Sequence, residues 1–275
     1  MKTFLNHNSA KVFREVLYPL YKNLPENFNN VTTVYGTVNT VEIVNCQIKG
    51  LQPDNEFIDF PDILVANRDY IEREKQWYLK ATRSVEDMKD IKIWANIADE
   101  EGNIHSNYGY RIFHADNDCQ YDKAVASLIA DSSTRQSVCI YTYPQIQTDF
   151  NAKGCKDFIC TFSTQHMIRN GKLIYIVNMR SNDAIFGLRN DFAWHCYVCN
   201  RMRADLENAG IEINDDEIQW NAGSMHIYEA RGGWDKLRAI VKANSVICDK
   251  CNYTEIEVQS SKFCRKCGDA MKNPC

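Results

Sequence analysis

Apolar residues recur at helical spacing from about Ser9 to Leu24, with Val12, Phe13, Val16, Leu17 and Leu20 on one stripe and Pro25 as a stop. The period then changes. VTTVYGTVNTVEIVNCQIKG is rich in Val, Thr and Ile with partial alternation, which predicts strands joined by turns at Gly36 and Gly50. Helical spacing returns in YIEREKQWYLKA, placing Glu74, Trp77 and Tyr78 on neighbouring turns, and again around Asp122 to Ala130. SVCIYTYP reads as a strand ending at Pro144. FICTFSTQHMI and LIYIVNMRS are strand-like runs separated by Asn170-Gly171, a dipeptide that supplies the positive φ angles of a tight hairpin. The loop NDAIFGLRND leads into the helix FAWHCYVCNRMRADLENAG, followed by a strand in EIQWNAGSMHIYEA and a helix in WDKLRAIVKAN. Strands and helices mix without a regular βαβ rhythm, so the fold class is α/β or α+β.

A chain of 275 residues with 44% hydrophobic and 25% charged content supports one sizeable core and a small appendage. The formal net charge of -4 argues against a protein that coats a nucleic acid and favours a small anionic partner. No segment approaches the roughly 20 apolar residues of a membrane span. The opening MKTFLNHNSAKVF lacks the apolar core of a signal peptide, so the expected compartment is the cytoplasm. Twelve cysteines in such a chain read as zinc ligands, a nucleophile and buried thiols rather than disulfides.

Cys248, Cys251, Cys264 and Cys267 form two CxxC pairs separated by 12 residues, with Gly268 after the second pair. Two such knuckles present four thiolates tetrahedrally to Zn2+, and the metal orders a segment too short for its own core. Four cysteine ligands leave no position for water, so the zinc is expected to be structural. The chain therefore divides into a domain over residues 1–243 and a zinc ribbon over 244–275, whose lysines point only weakly to a nucleic-acid or protein contact. Cys196 and Cys199 lie one helical turn apart; the usual burial of free thiols favours a packed helix face over a metal pair.

Cys160-Thr-Phe-Ser-Thr-Gln165, Asn170-Gly171-Lys172-Leu173, Met179-Arg180-Ser181-Asn182-Asp183 and Gly187-Leu188 stand in order, with Ser224-Met225-His226-Ile227-Tyr228 downstream. Upstream are Glu74-Lys-Gln-Trp77-Tyr78, Trp94 and Tyr108-Gly109. In order and spacing, over roughly residues 10 to 240, the chain resembles the thymidylate synthase family. That resemblance implies a mixed β-sheet with surrounding helices, a pyrimidine deoxynucleoside monophosphate as substrate and 5,10-methylenetetrahydrofolate as carbon donor. It makes Cys160 the nucleophile that adds to pyrimidine C6, because C5 becomes reactive only after a thiolate has saturated the ring. Arg180 would lower the thiol pKa and, with Ser181, hold the 5′-phosphate. Arg135 would reach the phosphate of the other subunit of a homodimer. Where the family has two adjacent arginines this chain has Arg135-Gln136, and no counterpart of an N-terminal phosphate-loop arginine stands out. Gln165 and Asp183 would line the substrate, His226 and Tyr228 would meet the deoxyribose hydroxyl, and Trp94, Tyr108, Asp183 and Gly187 would shape the folate side. Read alone, Cys160 is a small buried hydrophobe, Arg180 and Arg135 are salt-bridge formers, and His226 and Tyr228 are the outward face of a strand.

The base-reading segment is Gly187-Leu-Arg-Asn190-Asp191, with Asp191 where thymidylate synthases carry the Asn that pairs with uracil. A carboxyl accepts from the cytosine amino group and, protonated, donates to N3, so Asp191 points to cytosine; a slip of one residue would put Asn190 there and restore uracil. Apart from the resemblance, Asp191 is also a natural helix cap. Glu74 is the expected general acid/base. Thymidylate synthases close the site with a C-terminal tail, whereas here the ribbon follows. That exposure to water favours hydroxymethylation of dCMP, as in phages that modify their DNA inside a bacterial host. Methylation of dCMP or dUMP, and a catalytically dead scaffold with a binding ribbon, are the alternatives.

Overall fold

The structure, a computed structural model, describes residues 5–24, 29–33, 36–247 and 254–256. Helix α1 (His7–Val12) is capped by Asn6, whose side chain accepts from the Ser9 N–H at 2.7 Å. It runs through a π-helical stretch, Phe13–Leu17, into α2 (Tyr18–Asn23). Pro19 accounts for the wider turn, since it has no N–H and its ring clashes with the carbonyl four residues back. The predicted stripe of Val12, Val16, Leu17 and Leu20 is buried, while Pro25 lies outside the described residues.

Strand β1 (Asn29–Thr33) pairs antiparallel with β2 (Gly36–Leu51), with Val31 opposite Val38. The structure makes β2 one strand instead of two joined at Gly50. Gly50, at φ 68, takes up a register shift between Ile48 and Leu51, so it serves a bulge and not a turn. Helix α3 (Arg68–Leu79) follows as expected, capped by Asn67. The six-residue helices α4 (Lys92–Ile97) and α5 (Tyr108–Phe113) had no periodic signature to read at that length. Helix α6 (Gln120–Ala130) and strand β3 (Ser137–Ile140) come next. The strand stops short of Pro144 because Tyr141 and Thr142 both donate to the Phe162 carbonyl, at a bulge in the partner strand.

After the short α7 (Ile146–Asp149) come β4 (Thr161–Arg169) and β5 (Lys172–Asp183), joined by Asn170 at φ 53 and Gly171 at φ 74, a hairpin of the expected kind. Helix α8 (Leu188–Asn208), β6 (Asp215–Tyr228), α9 (Gly233–Asn244) and a small pair, β7 (Ser245–Ile247) with β8 (Thr254–Ile256), complete the described chain. Six strands form one sheet in the order β1-β2-β6-β5-β4-β3, antiparallel except between β5 and β6, which α8 connects as a crossover. This is the mixed sheet with surrounding helices that the motifs implied.

One face of the sheet, with Leu173, Tyr175, Val177, Ile218 and Trp220, is buried in the core that also holds Phe192, Trp194, Cys196 and Cys199 of α8. The other face carries a line of polar side chains across four strands. Gln47 donates to Asn221 at 2.9 Å, Asn221 to Asn178 at 3.0 Å, and Asn178 to Ser163 at 3.2 Å. Exposed Val44 and Ile140 are among the large apolar side chains left in solvent. No helix among the described residues is long and apolar enough to cross a membrane.

Candidate active site

Cys160 sits on a bend just ahead of β4, and its carbonyl accepts the Arg180 N–H at 2.9 Å, which ties the bend to β5. The Arg180 side chain folds back over the same segment. Its Nε donates to the Ile159 carbonyl at 3.0 Å, its Nη2 donates to the Phe158 carbonyl at 2.7 Å, and that Nη2 lies 3.6 Å from the Cys160 Sγ. The guanidinium also stands 4.8 Å from the Phe158 ring centroid. The expected depression of the thiol is present in sign and outweighed in size: burial pushes Cys160 up to about 11, against the lowering influence of Arg180. Asp191 and Asp157 add to the rise, so the resting sulfur is a thiol.

Asp191 lies in the first turn of α8, where the helix start favours negative charge. It does not cap the helix, which begins after Gly187. Its Oδ1 accepts from the Tyr108 hydroxyl at 3.1 Å and its Oδ2 from the Asn182 amide at 2.8 Å. Burial raises its pKa to about 6 even though both donors favour the anion. Asn190, one residue earlier, is partly exposed, and its side chain has no hydrogen-bond partner among the described residues. Arg189 ties the loop down, donating to the Ile185 carbonyl at 3.1 Å and to the Val65 carbonyl at 2.7 Å.

Glu74 is buried on α3 and accepts from the Tyr70 hydroxyl at 2.6 Å; Tyr70 in turn takes the indole N–H of Trp94 at 2.9 Å. Burial raises Glu74 to about 8, with Asp191 adding to the rise, so the two carboxyls sense each other. Both therefore exchange protons in the range where enzymes work, which suits acid/base chemistry.

Asp183 ends β5 opposite His226 of β6, and its Oδ1 accepts the backbone N–H groups of Ile185 and Phe186 at 2.8 and 3.0 Å. Gly187 closes that turn, where an added Cβ would come within 3.3 Å of the Asp183 carbonyl. The His226 ring meets Ser181 and Ser224 only loosely, at 3.5 Å, and stands 4.7 Å from the Tyr228 ring. Tyr228 feels the charges of Asp183, Cys160 and Arg180, and His226 those of Asp183 and Arg180. Cys160, Arg180, Ser181, Asp183, Asp191, Glu74, His226 and Tyr228 are thus gathered in one neighbourhood.

Arg135 and Gln165 are placed differently. Arg135 is exposed ahead of β3, and its backbone carbonyl accepts from the Gln165 side-chain amide at 2.9 Å, so the Gln165 side chain is taken up by this backbone contact. Tyr108 is only 3% exposed and sits beneath Asp191. Sequence reasoning missed Tyr70 and Asn182. Tyr70 had a signal, its spacing of one helical turn from Glu74; Asn182 had none, because its partner is nine residues away across a loop.

All seven cysteines among the described residues are free, and Cys196 and Cys199 are packed in the core. No cluster among the described residues could hold a metal ion. The four cysteines assigned to zinc, Cys248, Cys251, Cys264 and Cys267, lie outside the described residues.

The family model for thymidylate synthase matches residues 65–245. The deoxycytidylate 5-hydroxymethyltransferase of Enterobacteria phage T4 is 41% identical over 197 residues, covering 70% of this chain and 76% of that protein. The thymidylate synthase of Bacillus phage phi3T is 29% identical over 160 residues, 55% of this chain and 53% of that protein. Thymidylate synthase 1 of Bacillus subtilis (strain 168) is also 29% identical, over 161 residues.

Proposed function

The chain belongs to the thymidylate synthase family, and we propose that it hydroxymethylates C5 of deoxycytidylate, with Cys160 as nucleophile and Asp191 as reader of the base. The observation that carries this reading is that Asp191 stands in one neighbourhood with Cys160 and Glu74, whereas Asn190 is partly exposed with no side-chain hydrogen bond among the described residues. The 41% identity to a phage deoxycytidylate 5-hydroxymethyltransferase supports the same substrate and product.

The Cys160 sulfur adds to C6 of the base, which makes C5 the nucleophile. Ionising a buried thiol is costly, and the Arg180 guanidinium 3.6 Å away offsets part of that cost. Arg180, Ser181, His226 and Tyr228 hold the phosphate and sugar. Asp191, raised to about 6 so that a minor protonated fraction persists at neutral pH, accepts from the cytosine amino group and shares a proton with N3. Glu74, still largely protonated at pH 7, exchanges the proton that must leave C5 or position the water that completes the product.

Methylenetetrahydrofolate, when bound, supplies the one-carbon unit. The residues present fit such a group: Asp183 is a fixed carboxylate for ring N–H donors, and Trp94 and Phe186 are half-buried aromatic faces for a flat ring. Exposed Arg135 reaches the phosphate of a partner subunit in a homodimer built on the open face of the sheet. The four distal cysteines hold a structural zinc in a separate ribbon over 244–275, and the enzyme works in the cytoplasm.

Incubation with methylenetetrahydrofolate and each pyrimidine monophosphate, followed by mass analysis, tests this reading. The expected product is 5-hydroxymethyl-dCMP without dihydrofolate. Dihydrofolate release with a methylated product would establish the reductive route instead. A Cys160→Ala protein as active as the parent would overturn the mechanism.

A further inference from the structure

A neutral carboxyl is ambiguous as a base reader. With the proton on one oxygen it complements cytosine, accepting at the amino group and donating to N3; with the proton on the other oxygen it complements uracil, donating to O4 and accepting from N3. Recognition of cytosine therefore needs something that makes the two oxygens of Asp191 unequal.

The two oxygens are held by different donors. Asn182 presents an amide N–H to Oδ2 at 2.8 Å, and Tyr108 presents a hydroxyl to Oδ1 at the longer distance of 3.1 Å. A carbonyl oxygen is the better acceptor and a protonated oxygen the poorer one, so the shorter amide contact favours Oδ2 as the carbonyl. Asn182 is only 3% exposed, and its own Oδ1 is buried without a partner. An amide that leaves its oxygen orphaned to aim its nitrogen at a carboxyl is placed for that carboxyl. Turned the other way, its oxygen would draw the Asp191 proton inward.

We infer that Asn182 is a specificity-determining positioning residue: its amide keeps Asp191 Oδ2 an acceptor and confines the carboxyl proton to Oδ1, and with Oδ2 turned to the amino group and Oδ1 to N3 this makes Asp191 complementary to cytosine and not to uracil. The inference rests on Asp191 facing the base, as proposed above. Asp191 is faced by Glu74, Tyr70 and Tyr78 from α3, Tyr108 from α5, Cys160 ahead of β4, and Asn182 and Asp183 from β5. Of these, Asn182 and Tyr108 donate to its oxygens directly.

The test compares release of tritium from C5-labelled dCMP and dUMP by the parent chain, Asn182→Ala and Asn182→Asp, with equilibrium binding of both nucleotides as a second measure of the ratio. Asn182→Ala is expected to lower the dCMP-to-dUMP preference about tenfold or more. Asn182→Asp, which puts an acceptor against Oδ2, is expected to lower it at least as far and to move the pH dependence of dCMP use upward. If the aspartate variant does not fold, the alanine variant decides, its melting temperature reporting that it is intact. Equal losses on both nucleotides, or an unchanged ratio, overturn the inference. A parent enzyme that releases no tritium from dCMP would bring down the base reading as well, so the two failures are distinguishable.

Discussion

Tyr70 and Glu74 stand one turn apart on α3 and are joined by a 2.6 Å hydrogen bond, donated by the phenol to the carboxyl. This bond favours the Glu74 anion and works against the burial that raises its pKa. Tyr70→Phe removes it, so Glu74 should hold its proton to still higher pH. The expected result is a pH profile for turnover whose Glu74-dependent limb moves upward, with a fall in rate at pH 7 of roughly threefold to tenfold. A profile unchanged in position would mean that the phenol does not govern the acid.

Glu74 also makes stability depend on pH in a fixed direction. Its folded pKa of about 8 lies above the ordinary glutamate value of 4.5, so the folded state retains a proton that the unfolded chain releases. Its contribution is favourable below about pH 4.5 and is lost as pH rises to about 8, where a buried anion must be tolerated. Glu74→Gln should therefore stabilise the protein little at pH 5 and by on the order of 2–4 kcal/mol above pH 8, while removing activity. Melting curves across that range check it.

Arg180→Gln takes away the influence that pulls the Cys160 pKa down, while the burial that pushes it up remains. Alkylation of Cys160 by iodoacetamide at pH 8, followed by mass analysis of its peptide, should slow by about tenfold. Arg180→Lys should fall between the two, since an ammonium keeps the charge and loses the forked contacts to the carbonyls of Phe158 and Ile159.

On the open face of the sheet, Ile176 projects from β5 on the same side as Asn178. If two copies meet there, Ile176→Arg should convert a dimer to a monomer in sedimentation and abolish turnover. Mixing inactive Arg135→Ala with inactive Cys160→Ala protein should restore activity, because one hybrid site then has both groups.

The ribbon makes a chemical prediction. Purified chain should carry about one zinc, and Cys264→Ser should lose it while tritium release from dCMP continues, because the residues assigned to the chemistry do not include those cysteines.

Most of the architecture was legible because its signals are local. The Asn170-Gly171 turn, the stripe on α1 and α2, and the β-rich runs around Tyr175 and Trp220 announce themselves in a few residues. What was illegible is what depends on partners distant in the chain. Gly50 reads as a turn until its bulge against β6 is seen, and the hydrogen bond from Tyr108 to Asp191 joins residues 83 positions apart that no motif links. The order of motifs singled out Cys160, Arg180 and Glu74 as candidates; burial, which no motif displays, raises the Cys160 pKa to about 11 and that of Glu74 to about 8.

The sheet's middle has a consequence for synthesis. Strand β2 takes its inner neighbour from β6, with Gln47 and Asn221 separated by 174 positions. Until the ribosome has released β6, the nascent β2 has one side of its backbone unsatisfied and its inward Val41 and Ile48 uncovered. The first strands made must wait for the last of the sheet, so a translation pause before Asp215 leaves a sticky edge in search of any strand that will pair with it.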